Sequence, residues 1–286
     1  MTSPARTRGA AAASFLGVVV ALVLLWEGYK AFGQTTGIEF GVRTNDRAMP
    51  HVWDIAAALV RPARRGGEDV LVVILLQAAW VTWRTALLGF VAGALVGIGL
   101  GLLLVRSRIA ERGLLPYVVA SQTVPVLAIA PVLITWARRS ELPLWVPIAI
   151  LSGYLAFYPV TIATVRGLRS PDPLARELLR SYAASGAQGF RLLELPAALP
   201  ALFPALKIAA TASVIGAIVG ELPAGQSDGL GRQILGFASS FSSAPEKLFA
   251  SVAVAALLGL VFVGAVAAAE RLALRGRSAP TTEVST

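Results

Sequence analysis

The 286-residue chain has no cysteine and a single histidine, His51. The first absence excludes a disulfide framework and thiolate metal sites. The second excludes any centre built from several imidazoles. Lysine occurs only at Lys30, Lys207 and Lys247, none of them after a glycine, so there is no Gly-Lys-Ser/Thr loop to cradle nucleotide phosphates. Charge itself is scarce: 14% of residues are charged and 56% hydrophobic, against roughly 25% charged in soluble domains. A soluble protein of this composition would aggregate, so a membrane protein is implied. The net charge of +9 comes from basic residues at the ends of apolar blocks. That placement sets membrane orientation rather than nucleic-acid binding.

The apolar runs predict an all-α membrane protein with six transmembrane helices. A span needs about 20 apolar residues, which places the spans near 11–32, 85–105, 117–137, 143–165, 203–222 and 248–269. Residues 11–269 form the membrane domain, between tails 1–10 and 270–286. Arg6 and Arg8 precede an apolar run like the start of a signal peptide. The run continues past Trp26 without a small-residue cleavage site, so an uncleaved first span is expected. Residues 33–69 are expected to be an external loop with a helical piece at Val52–Val60. The 35 apolar residues from Val70 are interrupted by Gln77, Thr82 and Arg84, which suggests an interfacial helix at Val70–Trp83 ahead of the second span. That span carries Gly89, Gly93, Gly97 and Gly101 on one face, suited either to close helix packing or to a hinge.

The third span contains Gln122, Thr123, Pro125 and Pro131, and the fourth Ser152 and Tyr154. Prolines in a span free carbonyls that neighbours or water must satisfy. These residues suggest either a polar passage or a kink in a packed bundle. Gln122, Thr123, Ser152, Tyr154 and Glu221 are the candidates for lining the passage; for Glu221 a water-facing helix end is the other reading, and the favoured one. Lys207 is expected to reach the headgroups. GLGRQIL, in the last loop, reads as a short helix after a turn.

With the N-terminus placed in the cytoplasm, fourteen of the 25 basic residues fall inside. The eleven outside include six in or beside the long first loop, from Lys30 to Arg65, and long loops count less. Both termini are therefore expected to be cytoplasmic, and with them the segment between spans four and five.

That segment, 172–200, carries charge, caps and turns of its own. Asp172 followed by Pro173 is a helix start. Leu174, Leu178, Leu179 and Tyr182 make the helix amphipathic. Ser185 and Gln188 form a capping box for a second helix. Ala183–Ala184 marks the turn between them, and Pro196, Pro200 and Pro204 are expected to end the second helix.

The spacing from Glu177 to Pro196 resembles the EAA loop of permease subunits in bacterial ATP-binding-cassette importers. In that pattern EAA is followed after three residues by glycine, and nine residues later by I-x-L-P. Glu177, Leu195 and Pro196 match in place, Leu193 stands at the isoleucine, Leu178 and Leu179 at the alanines, and Ala183 at the glycine. An alanine there is expected to turn the chain with ordinary backbone angles. The runs SQTVPVLAIAPVLITW, YPVTIATVRGLRSPDP and LPAALPALFPALKIAATASVIGAIVGEL resemble the taurine, sulfonate, nitrate and thiamine-pyrimidine branch. The resemblance implies the type I importer fold and a location in the bacterial inner membrane. Its implied partners are a second permease subunit, a dimer of ATP-binding subunits, an extracytoplasmic binding protein and the lipid bilayer, with no nucleic acid. It further implies no cofactor in this chain, ATP being bound by the partner. Glu177, Leu178, Leu179, Tyr182, Ala183, Ala184, Ser185, Leu193, Leu195 and Pro196 would couple to the ATPase. The alternative, an ion-coupled secondary transporter, usually needs ionisable residues in mid-span, and spans two to six lack them. An enzyme would need a catalytic constellation that these spans do not offer.

Overall fold

Hydrocarbon offers no partner to a backbone N–H or C=O, so long apolar segments satisfy themselves as helices. The computed structural model describes residues 4–38, 41, 43–63, 69–225 and 228–274. Arg64, Arg65, Arg275, Arg277, the tail from 275 onward and the side chains of Arg6 and Arg8 lie outside the described residues. In chain order the helices are α1 (Pro4–Thr36), α2 (Val52–Leu59), α3 (Leu71–Arg106), α4 (Arg108–Ala120), α5 (Val126–Arg139) and α6 (Trp145–Arg169). They continue with α7 (Pro173–Ser181), α8 (Gly186–Gly189), α9 (Leu195–Glu221), α10 (Leu230–Ser239) and α11 (Pro245–Leu274). Among the described residues the extended structure is an isolated bridge between Pro62 and Val70. Among the described residues five helical stretches are long and apolar enough to cross a membrane, or six if α4 and α5, bent by 95°, are counted together as one span.

Several boundaries differ from the sequence reading. α1 begins at Pro4, inside the stretch expected as a tail. The separate interfacial helix at 70–83 does not exist, because α3 is one helix from Leu71 to Arg106. Neither Thr82 nor Arg84 breaks a helix, and both lie inside its continuous run. Arg84 instead lies over the Trp80 ring at 5.9 Å, and Trp80 stacks on Trp83 at 5.3 Å. Such a cluster belongs at a membrane–water boundary. Arg106, 22 residues after Arg84, lies about 33 Å along the axis, beyond the roughly 30 Å of hydrocarbon.

The expected third span is not one rod. α4 ends in a 3-10 turn at Ser121–Thr123 and α5 starts after Pro125. Proline at 125 pushes the preceding Val124 to extended angles, with ψ of 121°, as pre-proline sterics require.

The chain forms two units. In the first, Met1–Leu76 with Ile234–Ala253, polar contacts tie the first loop to α1. Glu27 accepts from Val52 N at 2.8 Å and meets His51 Nδ1 at 2.7 Å. Buried Lys30 places Nζ 2.6 Å from Asp46 Oδ1. Trp26 Nε1 donates to Pro50 O.

In the second unit, Gln77–Gln233 with Val254–Thr286, α3, α6 and α9 approach through small residues. A Cβ on Gly93 would fall 2.5 Å from Gly153 O, and one on Gly97 2.6 Å from Phe157 O. Of the two readings of the glycine face, the unbroken α3 favours packing. Gly216 in turn admits the Ser152 backbone, whose Cα would lie 2.8 Å from a Cβ there. Ala86, Ile134, Ile148, Val214 and Phe262, from α3, α5, α6, α9 and α11 in turn, belong to one apolar cluster.

Candidate functional site

α7 is held from behind and left free in front. The Asp172 carboxylate accepts from Leu174 N at 3.0 Å and starts the helix. Arg176 Nη2 donates to Leu168 O at 3.0 Å, fixing α7 to the end of α6. Leu174, Leu178 and Tyr182 follow one another at four-residue steps and point away from the chain, 70%, 58% and 76% exposed. Glu177 is exposed beside them, and Leu179 is half-buried behind.

The turn after α7 corrects the sequence reading. Ala183 does not keep ordinary angles: its φ is +54°. The helix closes as a Schellman motif, with Ala183 N on Arg180 O at 2.9 Å and Ala184 N on Leu179 O at 3.0 Å. This left-handed position is the one glycine usually fills. Ala183 therefore makes the turn a glycine would make, at a steric cost.

Ser185 then restarts the helix. Its hydroxyl accepts from Gln188 N at 3.3 Å, and the Gln188 side chain accepts from Ser185 N at 2.7 Å. Both bonds of the capping box are present. A cleft of about 320 Å³ separates α7 from this second helix, with Arg176, Arg180, Phe190 and Glu194 on its walls. The Arg106 guanidinium lies over the Phe190 ring at 5.3 Å.

The prolines do not end the second helix. α8 passes through a π-helical turn at Phe190–Glu194 straight into α9. Wide π-helical bonding just before Pro196 accommodates the N–H that proline lacks. Leu193 is half-buried in that turn and Leu195 is partly exposed on its rim.

The suggested passage residues divide. Gln122 and Thr123 are exposed at the break between α4 and α5, and the Tyr154 hydroxyl donates to Ser121 O beside them. These three come together. Ser152 does not join them: it is fully buried, and its hydroxyl donates to Ser213 O at 2.6 Å, binding α6 to α9. Glu221 is neither a passage wall nor a wet helix end, being 1% exposed. Its carboxylate accepts from the Thr82 hydroxyl at 2.9 Å and from Gly231 N at 2.8 Å. Lys207 does not reach for headgroups; it pairs with Glu270 on α11 at 2.5 Å.

A family described as binding-protein-dependent transport system inner membrane component matches residues 89–275. This chain belongs to that family. It is a multi-pass inner-membrane permease subunit of an ATP-binding-cassette importer, a transport component and not an enzyme. The permease is 31% identical over 235 residues to the formylaminopyrimidine transport permease protein ThiX of Halalkalibacterium halodurans, covering 79% of this chain and 91% of that one. It is 33% identical over 193 residues to a protein of Bacillus subtilis named as an aliphatic sulfonates transport permease, SsuC, covering 68% and 67%. A crystal structure of an amino acid ABC transporter with histidines shares the fold, with a TM-score of 0.57 at 18% identity, over 70% of this chain and 94% of that one. A system of this family implies an ATPase and a binding protein as the permease's partners.

The role of Thr82, Gly229 and Gly231 as the surroundings of Glu221 escaped the sequence reading. Gly229 and Gly231 leave no room for a Cβ beside Glu221. The signal available was the pair of glycines opening GLGRQIL.

Proposed function

We propose that the permease carries a small, uncharged heteroaromatic solute of the pyrimidine type inward, driven by an ATPase that docks on α7. The docking reading rests above all on one observation. Leu174, Leu178 and Tyr182 form an exposed apolar face next to Glu177, on a helix whose back is anchored and whose end is closed by a defined turn. A hydrophobic face of this kind, kept in water, suits a partner's cleft. Leu179, Ala183, Ala184, Ser185, Leu193, Leu195 and Pro196 shape and support that face. With the termini in the cytoplasm, the face is cytoplasmic.

The cargo reading rests on charge. Gln122, Thr123 and Tyr154 at the helix break are uncharged. A groove of about 540 Å³ between α3 and α6 is lined by uncharged residues, Trp145, Tyr154 and Phe157 among them. Sulfonate or nitrate would call for a cationic partner on leaving water; a planar neutral ring needs aromatic contact. The permease pairs with a second permease subunit and takes cargo from an extracytoplasmic binding protein.

The test is reconstitution with the ATPase subunit. Glu177→Ala and Leu178→Asp are expected to lower ATP-driven uptake at least tenfold while membrane insertion is unchanged. Uptake equal to wild type in both sinks the docking role. Uptake of taurine or nitrate in preference to a labelled pyrimidine sinks the cargo reading alone.

A further inference from the structure

The Glu221 carboxylate lies in the second unit, where the end of α9 and the start of α10 meet α3, which is far away in sequence. The Thr82 hydroxyl of α3 donates to it, at 2.9 Å to Oε1 and 3.0 Å to Oε2. Gly231 N, in the first turn of α10, donates to Oε2 at 2.8 Å. Leu230 N donates to the Thr82 hydroxyl oxygen at 2.8 Å. Glu221 and Thr82 are both fully buried. The carboxylate thus satisfies one free N–H at the start of α10, the Thr82 hydroxyl oxygen satisfies a second, and the carboxylate meets the positive end of that helix. Gly229 and Gly231 have no space for a side chain, so the first turn of α10 sits directly on the carboxylate.

A buried carboxylate is costly unless fully bonded. Packing alone could have joined these helices, as it does along the glycine face of α3. The polar junction stands at one end of a helix that runs without interruption from Gly186 to Glu221, 36 residues or about 54 Å. The other end carries the Ser185–Gln188 capping box and the turn after α7. The junction and the docking face therefore lie on opposite sides of the membrane.

We propose that Glu221 is a positioning residue of the transport cycle, fastening the first turn of α10 and Thr82 to the end of α9 so that the three move as one body. Movement of the docking loop is thereby delivered to the surface around residues 228–233. This rests on the ATPase-docking reading given above.

The absence of native cysteine gives a clean test. A single Arg232→Cys, at an exposed position in the first turn of α10, takes a spin label in the permease assembled with its ATPase. Spectra are recorded without nucleotide and after trapping with ATP and vanadate. The otherwise unaltered complex is expected to hydrolyse ATP and change label mobility on trapping. In Glu221→Ala and Thr82→Val the label is expected to be more mobile and to lose at least three-quarters of its response. Hydrolysis is expected to stay within about twofold, and Thr82→Ser to restore the response. A normal response in both disruptive variants overturns the proposal, as does an equal loss of hydrolysis and response in Thr82→Val and Thr82→Ser. An unaltered complex that hydrolyses ATP without any label response overturns it too and leaves the docking reading standing. A complex that does not assemble or hydrolyse overturns both.

Discussion

Ala184 donates its amide to Leu179 O at 3.0 Å, closing α7 over a residue, Ala183, whose φ is +54°. An L-residue in the left-handed region costs roughly 1–2 kcal/mol, and glycine relieves most of it. Ala183→Gly is therefore expected to slow hydrogen exchange at Ala184 about fivefold, the equivalent of about 1 kcal/mol, and to leave ATP-driven uptake at least at wild-type level. Ala183→Val should do the reverse, because a β-branched side chain tolerates positive φ poorly. Exchange measured by mass spectrometry on the three proteins checks both directions.

Gly97 and Gly99 lie two residues apart on α3 and predict opposite results. A Cβ at 97 would lie 2.6 Å from Phe157 O, whereas a Cβ at 99 meets nothing within 4 Å. Gly97→Ala should force α3 and α6 apart and cost about 1–3 kcal/mol, the usual range for overpacking. Gly99→Ala should be neutral or stabilising by up to about 1 kcal/mol, since glycine is a poor helix former. Thermal unfolding in detergent separates them; equal shifts would contradict the packing seen here.

The Lys207–Glu270 pair joins α9 to α11 at 2.5 Å, with both side chains mostly shielded. Removing one partner leaves an uncompensated charge at membrane depth. Lys207→Met and Glu270→Met should each destabilise by about 1–3 kcal/mol, below the 3–5 typical of fully buried pairs. The double variant should be more stable than either single one. A double-mutant cycle of unfolding temperatures reads the coupling, and additive losses would argue that the pair contributes nothing.

The first loop should loosen in acid. The hydrogen bond from buried Lys30 holds the Asp46 carboxyl below the usual carboxylate range. A depressed value in the folded state means that the contact stabilises above the unfolded carboxyl's titration, near 3.9, and that the benefit fades as pH falls through the folded value. The Asp46 side chain is largely exposed, so solvent screens the effect and it should be small. Limited proteolysis of residues 43–63 is expected to accelerate below about pH 4 in the native chain. Asp46→Asn should be cleaved faster at pH 7 and show a flatter profile.

How much of this was legible follows the range of each interaction. Asp172, Ser185 and Gln188 act within three residues of their targets, so caps and helix starts could be read directly. The glycine face of α3 was legible as a face, because helical spacing alone puts those positions together. Glu221 was not: its partner Thr82 is 139 positions away, and the carboxylate's setting depends on a contact no local pattern encodes. The unbroken path from α8 into α9 was hidden for another reason. Three prolines at four-residue intervals read as stops, yet they fall on one side of a helix that accommodates them. Ala183 shows the same limit, because propensity favours ordinary angles while the closure of α7 demands the other region.

The right-angled corner between α4 and α5 also decides where lipid can be. Helices of 13 and 14 residues each reach only about 20 Å, so neither crosses a bilayer alone. Val124 and Pro125 have left helical geometry, and backbone outside a helix cannot face acyl chains. The corner must be sheltered by protein or water, leaving the lipid annulus to the remaining sides of the subunit. At bilayer depth, the face bearing Gln122 and Thr123 would be one that lipid does not cover.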